Sequence, residues 1–299
     1  MENFRERITK EFESQGLRFF RETLWSSSLQ RSDLPRIRYF LQRNNFHGVD
    51  VALSSPPDDT TSRIKWSRHY DSSGQCISLP APVVIPGGSN HLKLTFGYPN
   101  QVLRDTDRPK EFVVVNSLRL IFGVAVAREL IITSFFGVQE ELAMHSDVGY
   151  ASKFDIQSNN LFDDPPIQDS EVISIPEEAA FFLEKAFVQE FPSERFVLMW
   201  LAFEAIINIS IEKGSTNGER RKTFFKDVLQ SDVANAEVYR LFQLRCEIFK
   251  EGRASNLSIE DDCWSLYAAL QLVILKNCEQ RRAFLSAYET VILNRVLDS

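Results

Sequence analysis

One arginine near the C-terminus stands where the sequence calls for an apolar side chain. In the run Leu244-Arg245-Cys246-Glu247-Ile248-Phe249-Lys250-Glu251-Gly252, Leu241 and Phe242 precede Arg245 by four and three residues, and Ile248 and Phe249 follow it by three and four. On a helix these positions share one face, and Val238, a heptad earlier, extends it. A guanidinium inside such a stripe needs a carboxylate partner, or a second surface where an anion can reach it. Both readings of Arg245 stand. Glu204 is the structural candidate, because it also lies among apolar residues, Trp200, Leu201 and Ile207. The functional alternative is an arginine facing RNA or another anion. Lys250, close to a helix C-terminus, is favoured there by the helix dipole alone.

Other chemistry-bearing residues are scattered. Lys213, Arg220, Arg221, Lys222 and Lys226 face only Glu219 within their run, a local net charge of +4. Such a run is a solvated helix face or, if RNA is bound, a set of phosphate contacts. Residues 192–299 together hold 14 basic and 15 acidic side chains, and the chain carries a net charge of −7, which excludes a general nucleic-acid coat protein. The four histidines, His47, His69, His91 and His145, have no metal-ligand spacing, and none follows residue 145. Cys76, Cys246, Cys263 and Cys278 form no CxxC pair and read as buried thiols. No cofactor or metal is expected.

The elements that must position these residues fall into two regions. In the first fifty residues Phe4, Ile8 and Phe12 recur at helical spacing, and Leu17, Phe20 and Leu24 continue the apolar pattern. From 48 to 116 come short β-prone runs, Val49–Leu53, Val83–Ile85, Leu92–Phe96 and Phe112–Val115, separated by turn-forming clusters. Leu118–Phe136 is the most apolar stretch, but Arg119, Arg128 and Glu129 interrupt it, so it reads as a buried helix rather than a membrane span. Between Asp155 and Glu178 seven acids stand without a base around Asp163-Asp164-Pro165-Pro166, the composition of a linker.

Beyond Pro176 the chain reads as helix. Starts are marked by Ile175-Pro176-Glu177-Glu178, Pro192-Ser193-Glu194 and Ser258-Ile259-Glu260-Asp261, with Gly252 as a stop. The predicted helices run to about Phe191, from Pro192, over 219–230, from Val233 to Glu251, from Ser258 to about Asn277, and from about Gln280 to Leu297. Short connections between long helices imply a bundle. The expected organisation is an α+β domain of unknown type over residues 1–154, an acidic, proline-containing linker over 155–175, and an all-α helical bundle over 176–299. The charged N-terminus, MENFRERITKEFESQ, lacks a signal-peptide run, so a cytoplasmic protein is expected.

The order of these features resembles the HEPN superfamily, its Apea-like branch in particular, over residues 176–299. That branch carries an Arg-Asn-x-x-x-His-Gly or Arg-Asn-x-x-x-His-x-Gly segment late in a helix, after an aromatic, acid-containing helix and before an acidic cap. Here Trp200-Leu201-Ala202-Phe203-Glu204-Ala205-Ile206-Ile207 and Ser258-Ile259-Glu260-Asp261-Asp262 take the flanking places. Arg245 matches the arginine, Cys246 replaces the asparagine, and Lys250 stands where the histidine belongs. The resemblance implies homodimerisation through the bundle and a setting in prokaryotic antiviral defence, toxin–antitoxin or RNA-sensing systems. In catalytic members arginine and histidine from two protomers cleave RNA without metal. A lysine ammonium donates protons near neutral pH and does not accept them, so the substitution removes the acid–base partner. The expectation is therefore a catalytically degenerate HEPN-like bundle that binds or assembles with RNA or a partner protein. The alternative is an unconventional, metal-independent endoribonuclease using Arg245 and Lys250.

Overall fold

A computed structural model describes residues 4–54, 62–70, 76–84, 90–128, 130–138, 143–145, 170–189, 191–211, 216–251 and 259–297. The chain divides into two compact units, one built from residues 1–111 and 124–151, the other from 112–123 and 152–299. Mixed α+β architecture with a helical region is thus observed, and among the described residues no helix is long and apolar enough to cross a membrane.

The first unit centres on an antiparallel sheet. Its elements are α1 (Phe4–Glu13), β1 (Phe19–Ser27), α2 (Leu34–Arg43), β2 (Val49–Ser54), β3 (Ser62–Tyr70), β4 (Cys76–Val84), β5 (Asn90–Tyr98), α3 (Gln101–Thr106), the start of α4 (Arg108–Phe122), β6 (Leu130–Gly137) and β7 (Ala143–His145). Five strands lie in the order β2-β5-β1-β6-β7, while β3 and β4 form a separate two-stranded ladder. The register sets Phe20 beside Gly97 and Phe136, and Arg21 beside Phe96 and Phe135. Alternation then puts these two sets on opposite faces.

On the first face Ile8 and Phe12 of α1 pack against Phe20 and Phe136. A Cβ on Gly97 would lie 2.8 Å from the Phe12 ring, so the close approach of α1 requires glycine there. On the second face the buried Arg21 pairs with Glu111 and donates to the Arg104 carbonyl.

Three expectations fail between β1 and β6. Leu17, Phe20 and Leu24 do not extend a helix: residues 19–27 form β1, the middle strand of the sheet. Phe112–Val115 is helix, part of α4, despite three consecutive valines. β-branched residues lower helix propensity by only a few tenths of a kcal/mol each, roughly, and burial overrides that. Val114, Val115, Leu118, Leu120 and Ile121 are all buried, the pattern of a helix with no wet face. Leu118–Phe136 is accordingly not one helix; α4 stops at Phe122 and β6 begins at Leu130.

The second unit is helical: the end of α4, α5 (Glu177–Phe187), α6 (Pro192–Ser210), α7 (Asn217–Lys222) continued by a π-helical turn over Thr223–Val228, α8 (Asp232–Glu251), α9 (Ile259–Ile274) and α10 (Cys278–Leu297). α9 is buried continuously from Ser265 to Ile274 and packs along α6. Its sequence, apolar all round after an acidic first turn, suits a central helix. The end of α4 is fixed there by Asn116, which donates to the Ala180 carbonyl at 3.0 Å, and by Gln271, which donates to the Leu120 carbonyl at 2.8 Å. The buried Arg119 guanidinium pairs with Glu184 and lies 5.4 Å from the Phe187 ring centroid.

Within the stretch read as linker, residues 170–175 are part of this unit. Val172 bridges to Leu275, and the Ile173 amide donates to the Ile274 carbonyl at 2.8 Å. The Asp163-Asp164-Pro165-Pro166 centre of that stretch, the Gly252 stop and the Ser258 cap lie outside the described residues.

Candidate functional site

Three helices of the second unit meet at one cavity. α6 offers Glu204, one turn beyond the buried Trp200. α7 offers Arg221 and Lys222. α8 offers Asn235, Val238, Tyr239 and Phe242 on successive turns of one face. The cavity has a volume of about 620 Å³, and Glu204, Arg221, Lys222, Asn235, Tyr239 and Phe242 stand in its wall. The start of α7 is set by a reciprocal cap. Thr216 Oγ1 accepts from the Glu219 amide at 3.2 Å, and the Glu219 carboxylate accepts from the Thr216 amide at 3.1 Å.

Arg221 is the charged centre. It is 8% exposed, and its guanidinium donates to Glu204 Oε1 at 2.7 Å. The same group lies 4.6 Å from the Phe242 ring centroid and 5.3 Å from that of Trp200, so two aromatic faces hold it. Burial pulls its pKa down; the Glu204 charge and hydrogen bond oppose this, and the nearby Arg245 cation adds to the fall.

Glu204 thus pairs with Arg221 rather than with Arg245, the partner expected from sequence. Arg245 is half-buried, with its guanidinium 4.5 Å from the Phe249 ring centroid and its Nε buried without a hydrogen-bond partner. The Arg245 charge is felt at Arg221, while the bond to Glu204 is made by Arg221.

The remaining predicted residues disperse. Arg220 turns back to Asn208, 2.7 Å away, and the exposed Lys226 pairs with Asp232 at 3.2 Å. Lys222 is exposed at the cavity edge, and Lys213 lies outside the described residues. Lys250 is exposed at the end of α8, one residue beyond Phe249. The basic run is thus not a continuous patch. Two of its members, Arg221 and Lys222, reach the cavity. Arg221 had a readable signal: Phe224 and Phe225 follow it by three and four residues, the same spacing that singles out Arg245. Tyr239, 62% exposed on the cavity wall, had none beyond being an aromatic on an otherwise polar turn.

A second charged cluster ties α8, α9 and α10 together. Glu237 accepts from Arg240 and from Ser265 Oγ at 2.7 Å, and Arg240 also reaches Asp262 at 2.6 Å. Arg295 lies 3.5 Å from both carboxylates, and Tyr288 OH is 3.1 Å from Ser265 Oγ. Burial pushes the Glu237 carboxyl up, but the hydrogen bonds from Arg240 and Ser265 and the two guanidinium charges outweigh it and hold the pKa below the usual value. Burial also pushes the Tyr288 hydroxyl well up. These groups pair with one another and read as a clamp, with Asp262 Oδ2 left buried without a hydrogen bond.

Cys263 is buried, as expected, and burial pushes its thiol up; Cys246 is half-buried, and Cys278 is exposed at the start of α10, contrary to expectation. Among the described residues no group of three His, Cys, Asp or Glu is arranged to hold a metal ion. Comparison with protein-family models, curated proteins and solved structures gives no match. Fold and site define the class by themselves: an α+β protein with a separate helical unit, bearing a cation-centred, aromatic-walled cavity.

Proposed function

We propose that the helical unit is a HEPN-like module that binds single-stranded RNA without cleaving it. The observation that carries this reading is the face of α8. Tyr239, Phe242, Arg245 and Phe249 follow one another at helical spacing, with Arg221 and Lys222 beside the first two. Tyr239 and Phe249 are 62% and 55% exposed. Interleaved cations and exposed aromatic rings are the chemistry that holds a single strand, rings stacking bases and cations meeting phosphates. The stripe from Tyr239 to Phe249 is about 15 Å long at the rise of a helix, enough for a few nucleotides.

The absence of turnover rests on the residues beside Arg245. Lys250 stands in the place the resemblance gives to histidine, and the chain has no histidine after residue 145. Homodimerisation through the bundle and a role in prokaryotic defence or toxin–antitoxin systems belong to the same proposal, carried by the resemblance.

Fluorescence anisotropy with a labelled U-rich oligonucleotide tests it. Tyr239→Ala is expected to weaken binding about tenfold, the worth of one stacked base, with the label remaining intact by gel after prolonged incubation. Cleavage that Arg245→Ala abolishes would restore the ribonuclease reading. An absence of RNA binding, with capture of a protein instead, would replace RNA as the partner.

A further inference from the structure

Resting on the RNA-binding reading, we propose that the cavity beside Tyr239 takes a guanine base. The argument begins with Glu204. Its carboxylate stands in the cavity wall with a side-chain exposure of 17%, and the bond from Arg221 uses Oε1. Oε2 carries no hydrogen bond from the described residues, which leaves it as an acceptor for a ligand in the cavity. A carboxylate whose geometry is already fixed by a buried arginine is a preorganised acceptor, and it selects for donors.

Among the four RNA bases, guanine alone presents two adjacent donors on its Watson–Crick edge, N1–H and the N2 amino group. Adenine and cytosine turn an unprotonated ring nitrogen to the same place, which a carboxylate repels. Uracil offers one N–H between two carbonyls. Recognition of unstacked bases through this edge is the usual route to sequence preference in single-stranded RNA. The other walls agree with a base rather than with a bare anion. Tyr239 and Phe242 provide ring faces for stacking, their own centroids 6.4 Å apart. Asn235, half-buried on α8, supplies an amide that can donate to the guanine O6. Lys222 at the edge is placed for the adjoining phosphate. A cavity of about 620 Å³ lies within the range of roughly 300–1,000 Å³ typical of small-ligand sites, ample for one nucleotide.

A free phosphate alone fits less well. Arg221, the only buried cation among the described residues of the wall, already holds Glu204 and is covered on two sides by Trp200 and Phe242. An anion approaching it would also meet the Glu204 charge.

The test uses the full-length protein and the labelled pentanucleotides UUGUU, UUAUU and UUIUU, where I is inosine. UUGUU is expected to bind at least about tenfold tighter than UUAUU, the discrimination of one bidentate edge contact. UUIUU, which lacks the N2 amino group, should fall between them. Glu204→Gln should bring the guanine-to-adenine ratio close to one. Should that variant not fold, the three wild-type affinities decide alone. Unlabelled GMP and AMP as competitors separate the base from the strand, and GMP should displace UUGUU at the lower concentration. Binding of all three oligonucleotides within twofold, or equal displacement by the two nucleotides, overturns the guanine assignment while leaving RNA binding intact. No binding of any oligonucleotide overturns the RNA reading itself.

Discussion

Removing Glu204 and removing Arg221 cut the same ion pair, but the two deletions leave different remainders. Without Glu204, a guanidinium that is nine-tenths buried stays between Trp200 and Phe242 with Arg245 close by and no counter-charge. Without Arg221, Glu204 keeps a side chain that is 17% exposed at the cavity wall, where water can reach it. Glu204→Leu is therefore expected to destabilise the protein by about 3 kcal/mol or more, the usual result of orphaning a buried charge. Arg221→Met, which refills the aromatic slot with an apolar chain, should cost clearly less. Urea titrations of the two variants against wild type measure both, and the reverse order would mean that the arginine is more solvated than its burial indicates. At this scale the sequence was half legible. The apolar stripe marked Arg245 and Glu204 as unusual, but it could not say which cation the carboxylate meets. That choice depends on how α7 enters between α6 and α8, and the Thr216–Glu219 cap fixes where α7 starts.

At the scale of elements, the clamp of Glu237, Arg240, Asp262 and Arg295 makes the joining of α8, α9 and α10 sensitive to acid. The folded pKa of Glu237 is depressed, so its contribution to stability is full above the unfolded carboxyl value, about 4.3, and is lost as pH falls through the lower folded value. The melting temperature of the wild type should drop on acidification from pH 5 to pH 3. Glu237→Gln has no charge to lose, so it should begin lower at pH 7 and decline less steeply across that interval. Parallel declines would remove Glu237 from the account. The C-terminal helices were largely readable, since their starts carry prolines and acids and their apolar residues keep helical spacing. β1 and α4 were not. In β1 the apolar residues Phe20 and Leu24 fall at a spacing of four, which suits a helix and a two-fold strand alternation equally. In α4 a run of valines obscured a helix that is buried nearly all round.

At the scale of the whole chain, the division into two units does not follow the sequence in order. Residues 112–123 belong with the C-terminal helices although the strands of the other unit follow them. A fragment of residues 170–299 would leave Glu184 without Arg119, and Tyr267 and Gln271 without the carbonyls of Arg119 and Leu120 that accept from them. Such a fragment is expected to unfold without a cooperative transition in a circular-dichroism melt, where the full chain shows one. A fragment melting as sharply and as high as the full chain would show that α4 is dispensable to the bundle.

The placement of α4 also sets a schedule for the nascent chain. Tyr267 and Gln271 bond to α4 carbonyls 148 and 151 residues earlier in the sequence. At about 5–20 residues per second of synthesis, α4 emerges roughly 7–30 s before those partners exist. For most of that interval α4 can meet only α5, through the Ala180 and Glu184 partners of Asn116 and Arg119, while the side chains it buries against α9 stay uncovered. Exposed apolar segments of this kind invite misassembly. The slow step in making this protein is thus written into its topology: the bundle cannot close until almost the whole chain has been delivered, and α4 is the part that waits.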